Sequence, residues 1–150
     1  MCIFTFKLNR MIGKASLLKR FNDRNKNTLM ETLEIVYTDI GKDFLTAQMP
    51  VNSRVHQPYG QLHGGATAAL AESVGSAASN FFIDSETHYV NGISLSINHL
   101  KSKREGVVTA TATNIHKGRS THLWEVKIVD EEGQLISIAK MTNIVLQKKS

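Results

Sequence analysis

The sequence is poor in the residues that cross-link or interrupt a chain. One cysteine, Cys2, stands among 150 residues. No internal disulfide framework can form, which fits a reducing, cytoplasmic setting. The only prolines are Pro50 and Pro58. No apolar run reaches the roughly 18 residues needed to span a bilayer, so no membrane association is expected. The start, MCIFTFKLNRMIGKASLLKRF, places its basic residues after the short apolar patch and has no small-residue cleavage site, so it does not read as a signal peptide. Met11 is an alternative start, which would make residues 1–10 an extension. Charge is missing from one region in particular. The chain is 21% charged, yet between Arg54 and Asp84 the one formally charged residue is Glu72.

What is present is the material of one soluble domain: 41% hydrophobic residues in a length sufficient for a proper core. Net charge is +5 and the isoelectric point about 9.4. The basic residues line no single helix and no nucleic-acid-binding module is visible, so nucleic acid is not an expected partner. Attraction of a phosphate-bearing small ligand stays open. The six histidines are scattered and Cys2 is alone, so no metal site is expected.

Hydrophobic periodicity orders the elements. Residues 15–30 predict a short helix or two. TLEIVYTDIGKDFLTAQMPV predicts two strands, with Leu33, Ile35 and Tyr37 alternating and Gly41-Lys42-Asp43 as the turn. Residues 52–62 predict a loop, broken by Pro58 and Gly60. From 64 to about 82, Leu70, Val74, Ala77 and Phe81 fall on one helical stripe. About four strands follow, in the first of which Ile93, Leu95 and Ile97 alternate, separated by turns at 103–106, 117–120 and 131–133. One long helix among antiparallel strands excludes a doubly wound sheet. The fold class is therefore α+β, an antiparallel sheet wrapped around one helix whose small residues admit close strands. The expected division is an N-terminal extension with a short helix over 1–27 and the main domain over 28–150.

On that helix Glu72, Ser76 and Ser79 are expected to share a face with Gly65, Ala68 and Ala69. A solvent-facing helix side usually carries several charges in i, i+4 pairs. A lone carboxylate among small side chains reads as surface, as a structural hydrogen-bonded carboxylate, or as a functional group, and the charge-free surroundings favour the last. His63-Gly64-Gly65 stands where the helix begins, and unsatisfied N–H groups there suit an anion or a developing oxyanion. A histidine at such a place is more often structural than catalytic. His63 and Glu72 lie half a turn out of phase and about 13 Å apart along a helix axis. If both act on one ligand, one of them comes from a second subunit, as a two-fold dimer would provide.

QPYGQLHGGATAALAESVGSAAS, with INHLKSKREG and IHKGRSTHLWEVKIVDEEG, resembles the hotdog-fold acyl-CoA thioesterases. It is most similar to the branch of 1,4-dihydroxy-2-naphthoyl-CoA hydrolases and Arthrobacter-type 4-hydroxybenzoyl-CoA thioesterases. The likeness covers about residues 28–147, and Gln57 with Glu72 distinguishes this branch from the phenylacetate-pathway group. The resemblance implies the hotdog fold, hydrolysis of an acyl-CoA (an aromatic acyl group, with menaquinone biosynthesis as a setting), and homodimers paired into homotetramers. It implies Glu72 as nucleophile or general base, the Gly64 N–H as the donor to the thioester oxygen, and His63, Gln57 and Ser76 as further site residues. It implies coenzyme A contacts at Gly92, at His99, Leu100, Lys101 and Ser102, and at His116, Lys117, Gly118, Arg119, Ser120 and Thr121. Coenzyme A enters as part of the substrate, with no separate cofactor. The Asn91-Gly92-Ile93 segment departs from the nearest pattern, so the shape of the acyl pocket stays open. A hotdog hydratase is an alternative, but the proline-bearing histidine loop is missing. A non-catalytic acyl-CoA sensor is another, but residues 1–28 are too short for an output domain.

Overall fold

The computed structural model describes residues 13–149; Cys2 and the alternative start at Met11 lie outside the described residues. Among the described residues two helices come first, α1 (Lys14–Asp23) and α2 (Leu29–Thr32), then strands β1 (Val36–Ile40) and β2 (Phe44–Val51). A single 3-10 turn (Ser53–Val55) leads into two short strands, β3 (His56–Gln57) and β4 (Gln61–Leu62), and the long helix α3 (Gly64–Phe81) follows. Four long strands complete the chain: β5 (His88–His99), β6 (Gly106–Lys117), β7 (Thr121–Val129) and β8 (Leu135–Gln147). The main sheet has six antiparallel strands in the order β1-β2-β6-β7-β8-β5, and α3 lies in its concave face. This is the hotdog architecture expected from the sequence.

The core explains why α3 must be small-sided. Leu70, Ala71, Val74 and Ala78 are buried against Ala47, Ala110, Ala112, Val126 and Ala139 of the strands. Alanines on both surfaces shorten the distance between helix and sheet. At Gly75 an added Cβ would fall 2.6 Å from Met141 Sδ. A buried polar triad pins the helix: Trp124 Nε1 donates to Ser79 Oγ at 2.7 Å, and Asn143 Nδ2 donates to the same hydroxyl at 2.7 Å and to Gly75 O at 3.1 Å. Ser79 is therefore fully buried, although it lies only about 20° from Glu72 around the helix. Helical phase put it there, but the curled sheet wraps further around the C-terminal half of α3 than phase alone reveals.

Three further expectations need adjustment. Leu33 belongs to the end of α2, and the first strand starts only at Val36, because Glu34 takes a positive φ of 54° that ends the helical turn. Residues 56–62 are not a plain loop but a miniature hairpin, turned at Pro58-Tyr59-Gly60 with Gly60 at φ 72° and its N–H donating to Gln57 O. In β5 the alternation breaks at a bulge, where the register against β8 shifts between Gly92 and Ser94 and Ile93 is turned out to 56% exposure.

The edge of β1 is covered by the N-terminal helix. Asn22 Oδ1 accepts the Tyr37 N–H at 2.8 Å and Asn22 Nδ2 donates to Tyr37 O at 3.0 Å, while Asn25 Nδ2 donates to Ile35 O at 2.8 Å. These amides take the place of a neighbouring strand and hide the edge. At the other edge, β5 has no strand beyond it among the described residues, and most of its residues are exposed.

Candidate active site

Glu72 is exposed on the outer face of α3, midway along it. It opens on a cavity of about 440 Å³ whose apolar wall is Phe21, Leu29, Met30, Tyr37, Ala69 and Ala77 and whose polar members on α3 are Ser73, Ser76 and Asn80. Ser76, one turn on, thus faces the same space. Burial pushes the Tyr37 phenol up to about 12, and its hydroxyl donates to Ser73 O at 3.3 Å. Gly92 meets the carboxylate from the sheet side: a Cβ on it would lie 2.6 Å from Glu72 Oε1. The β5 bulge brings the bare backbone of that glycine against the acid.

The start of α3 is a separate place. His63 caps the helix, its Nδ1 accepting the Gly65 N–H at 2.8 Å. The Gly64 N–H, first of the helix, has no acceptor among the described residues. His99 Nε2 approaches Gly64 so closely that a Cβ there would fall 2.7 Å away, and His99 Nδ1 is 3.1 Å from Ser137 Oγ. His63 lines a different hollow from Glu72, with Arg54, Val55 and His56. Gln57 Oε1 accepts the Tyr59 N–H within its own hairpin. Within one chain the structure gathers Glu72, Ser76 and Gly92, and separately His63, Gly64 and His99.

The segments matched to coenzyme A are also divided. Leu100 and Lys101 donate backbone N–H groups to Ile136 O, and Lys101 Nζ donates to Gln134 Oε1 at 2.7 Å. Ser102 follows them, exposed. Nearby Lys103 is paired with Glu131, and Arg104 Nη1 donates to Tyr59 O and Gly60 O, so both basic residues hold loops together. Lys103 holds the Glu131 carboxyl down at about 2, helped by the Val107 N–H. The other segment is the β6–β7 hairpin. There His116, Ser120 and Thr121 flank the turn, the Gly118 N–H donates to Thr121 O, and Lys117 Nζ sits 3.7 Å over the Phe82 ring. Lys117 and Arg119 line a cavity of about 470 Å³ with His88 and His122. His99 pairs with Ser137 and Thr121 with Ile144, so the two segments stand about 23 Å apart along β8 at about 3.3 Å per residue.

Sequence reasoning did not find the contribution of α1 and α2 to the Glu72 cavity. Phe21, Arg24, Asn25, Leu29 and Met30 all line it. The available signal was the pair of asparagines, Asn22 at the end of α1 and Asn25 in the turn after it, in a segment otherwise rich in lysine and arginine. Among the described residues, no cluster of three or more His, Cys, Asp or Glu is placed to hold a metal ion. No described helix is long and apolar enough to cross a membrane.

Comparison with known proteins follows the same geometry. Residues 59–137 match the family model described as the thioesterase superfamily. The proofreading thioesterase EntH of Cronobacter sakazakii is 39% identical over 137 residues, 91% of this chain and 99% of that protein. The crystal structure of a glutamine-to-alanine mutant of thioesterase PA1618 from Pseudomonas aeruginosa superposes with a TM-score of 0.86 at 41% identity, covering 87% of this chain and 94% of that one. Thioesterase HI1161 from Haemophilus influenzae gives a TM-score of 0.84 at 37% identity, over 87% and 90% of the two chains. The chain belongs to the thioesterase superfamily and is a thioester hydrolase of the hotdog fold.

Proposed function

We propose that the chain hydrolyses an acyl-CoA thioester and that Glu72 carries the chemistry. The observation that carries this reading is the placement of one ionisable carboxylate, unmatched by any other charge between residues 55 and 83, on the wall of a cavity with an apolar lining. A carboxylate in that position attacks the thioester carbonyl or takes a proton from a water that does so. An N–H at a helix start with no acceptor among the described residues, as at Gly64, is suited to the oxygen that becomes negative in either route.

The two halves of the site meet if β5 pairs with β5 of a second copy. An antiparallel two-fold pairing about the bulge sets the His99 end of one strand beside the His88 end of the other. His63 and Gly64 of one protomer then approach Glu72 of its partner. Likewise the segment from His99 to Ser102 approaches the β6–β7 hairpin of the partner, where lysine and arginine can receive nucleotide phosphates. The exposed Ile93 and Tyr89 on β5 supply apolar area for that contact. Such dimers would then pair into tetramers, the assembly that the sequence resemblance implies. An aromatic acyl group, such as 1,4-dihydroxy-2-naphthoyl, suits a cavity of about 440 Å³ walled by Phe21 and Tyr37.

The test is thiol release from a panel of aromatic and aliphatic acyl-CoAs, in the wild type and in Glu72→Gln. The substitution keeps size and removes charge. A fall in kcat/KM of at least about 10² is expected. Equal rates would remove Glu72 from its role, and no release from any acyl-CoA by the wild type would remove the activity.

A further inference from the structure

Two cavities adjoin α1, the one of about 440 Å³ at Glu72 and a smaller one of about 170 Å³ between α1 and the end of α3. They share Phe21, Arg24 and Asn80. On α3, Glu72, Ser76 and Asn80 follow one another at successive turns along the floor, and Glu72 to Asn80 spans about 12 Å of axis. An acyl group reacting at Glu72 and lying along this floor therefore points its far end at Phe21 and Arg24.

The placement of these two side chains is built, not incidental. Asn22 is bonded twice to the Tyr37 backbone and Asn25 once to Ile35 O, on either side of Arg24. Thr28 Oγ1 donates to Asn25 O at 2.5 Å and closes the turn. The Phe21 ring packs on Tyr37, centroids 5.5 Å apart, so it forms a fixed wall. The Arg24 side chain makes no ion pair or hydrogen bond among the described residues. The segment thus offers an apolar wall followed by a fork of N–H donors that no described residue engages, at the end distant from the carboxylate.

We propose that α1 sets acyl selectivity: Phe21 packs the ring or chain of the acyl group, and Arg24 receives a carboxylate or hydroxyl at its far end. The inference rests on the acyl-CoA hydrolase reading and deepens it, since it names the substrate class as acyl groups with an apolar body and a polar terminus. Arginine meets a carboxylate through two parallel hydrogen bonds, and a site built for such a partner discriminates against analogues that lack it.

The experiment uses naphthoyl-CoA and its analogue bearing a carboxylate on the distal ring, with full-length protein. The readout is the ratio of kcat/KM for the carboxylated over the unsubstituted ester. The wild type should favour the carboxylated ester, and Arg24→Ala should lower the ratio about tenfold or more, mainly through KM. Arg24→Lys, which keeps the charge and loses the fork, should fall between. Phe21→Ala should lower kcat/KM for both esters. Circular dichroism melting of each variant separates a selectivity change from misfolding. An unchanged ratio in Arg24→Ala with an active wild type overturns the assignment of α1 and leaves the hydrolase reading standing: Arg24 is then a solvated surface residue. A wild type inactive on both esters and on the wider panel overturns both.

Discussion

Gly92 has no side chain where Glu72 needs room: a Cβ on the glycine would stand 2.6 Å from Glu72 Oε1 and 3.0 Å from Met141 Cε. The contact joins the middle of α3 to the bulge on the edge strand β5. The carboxylate is held between a bare backbone and an open cavity.

Gly92→Ala should therefore displace the carboxylate without unfolding the sheet. A displacement on the order of 1 Å from the productive position costs about 10² in rate. Kinetics with an active acyl-CoA should show that fall while the melting temperature moves by only a few degrees. Unaltered kinetics would mean that Glu72 acts from another rotamer.

Asn22→Ala removes both hydrogen bonds to the Tyr37 backbone. At about 1 kcal/mol net for each bond, the loss should be about 2 kcal/mol. Urea unfolding with an unchanged m-value would report it as a shift of midpoint.

Ser79→Ala leaves the Trp124 indole N–H without its acceptor in the core and takes one of two partners from Asn143 Nδ2. Unsatisfied buried donors cost about 1–3 kcal/mol each, so about 2–4 kcal/mol should be lost. Urea denaturation followed by fluorescence of the single tryptophan checks this directly. A loss below about 0.5 kcal/mol would mean that the hydroxyl bonds are not maintained.

Burial first, and Lys117 second, hold the His122 imidazole below its ordinary value of 6.5. The unfolded chain takes up a proton near 6.5, whereas the folded chain takes it up only at lower pH. This contribution to stability is complete above about 6.5 and is lost as pH falls from there through the folded value. Urea midpoints measured between pH 7 and pH 5 should decline, about pH 6.5 downward, more steeply in the wild type than in His122→Gln. Parallel declines would place the titration elsewhere.

The linear pattern made the fold legible because its elements have different periods. Leu70, Val74 and Ala77 mark a helix, alternating strands follow it, and glycine-bearing turns separate them, so element order and type follow from local chemistry. Glu72 was legible as a charge standing alone. Ser79 was not legible as a core residue, because its burial depends on how far the sheet curls, and curl arises from the register of strands distant in sequence. Ile93 matched the alternation of Leu95 and Ile97, but the bulge that ejects it depends on β8, about fifty residues later.

By itself the sequence determined that one small-sided helix is enclosed by antiparallel strands and that a single carboxylate marks its open face, since both follow from residue type and spacing. Only the tertiary structure decided that β5 is an edge strand among the described residues, that Gly92 of the same chain stands against Glu72, and that Asn22 and Asn25 fasten α1 over the same cavity. These relations depend on which residues far apart in the chain share a hydrogen-bond ladder, and no local period carries that information.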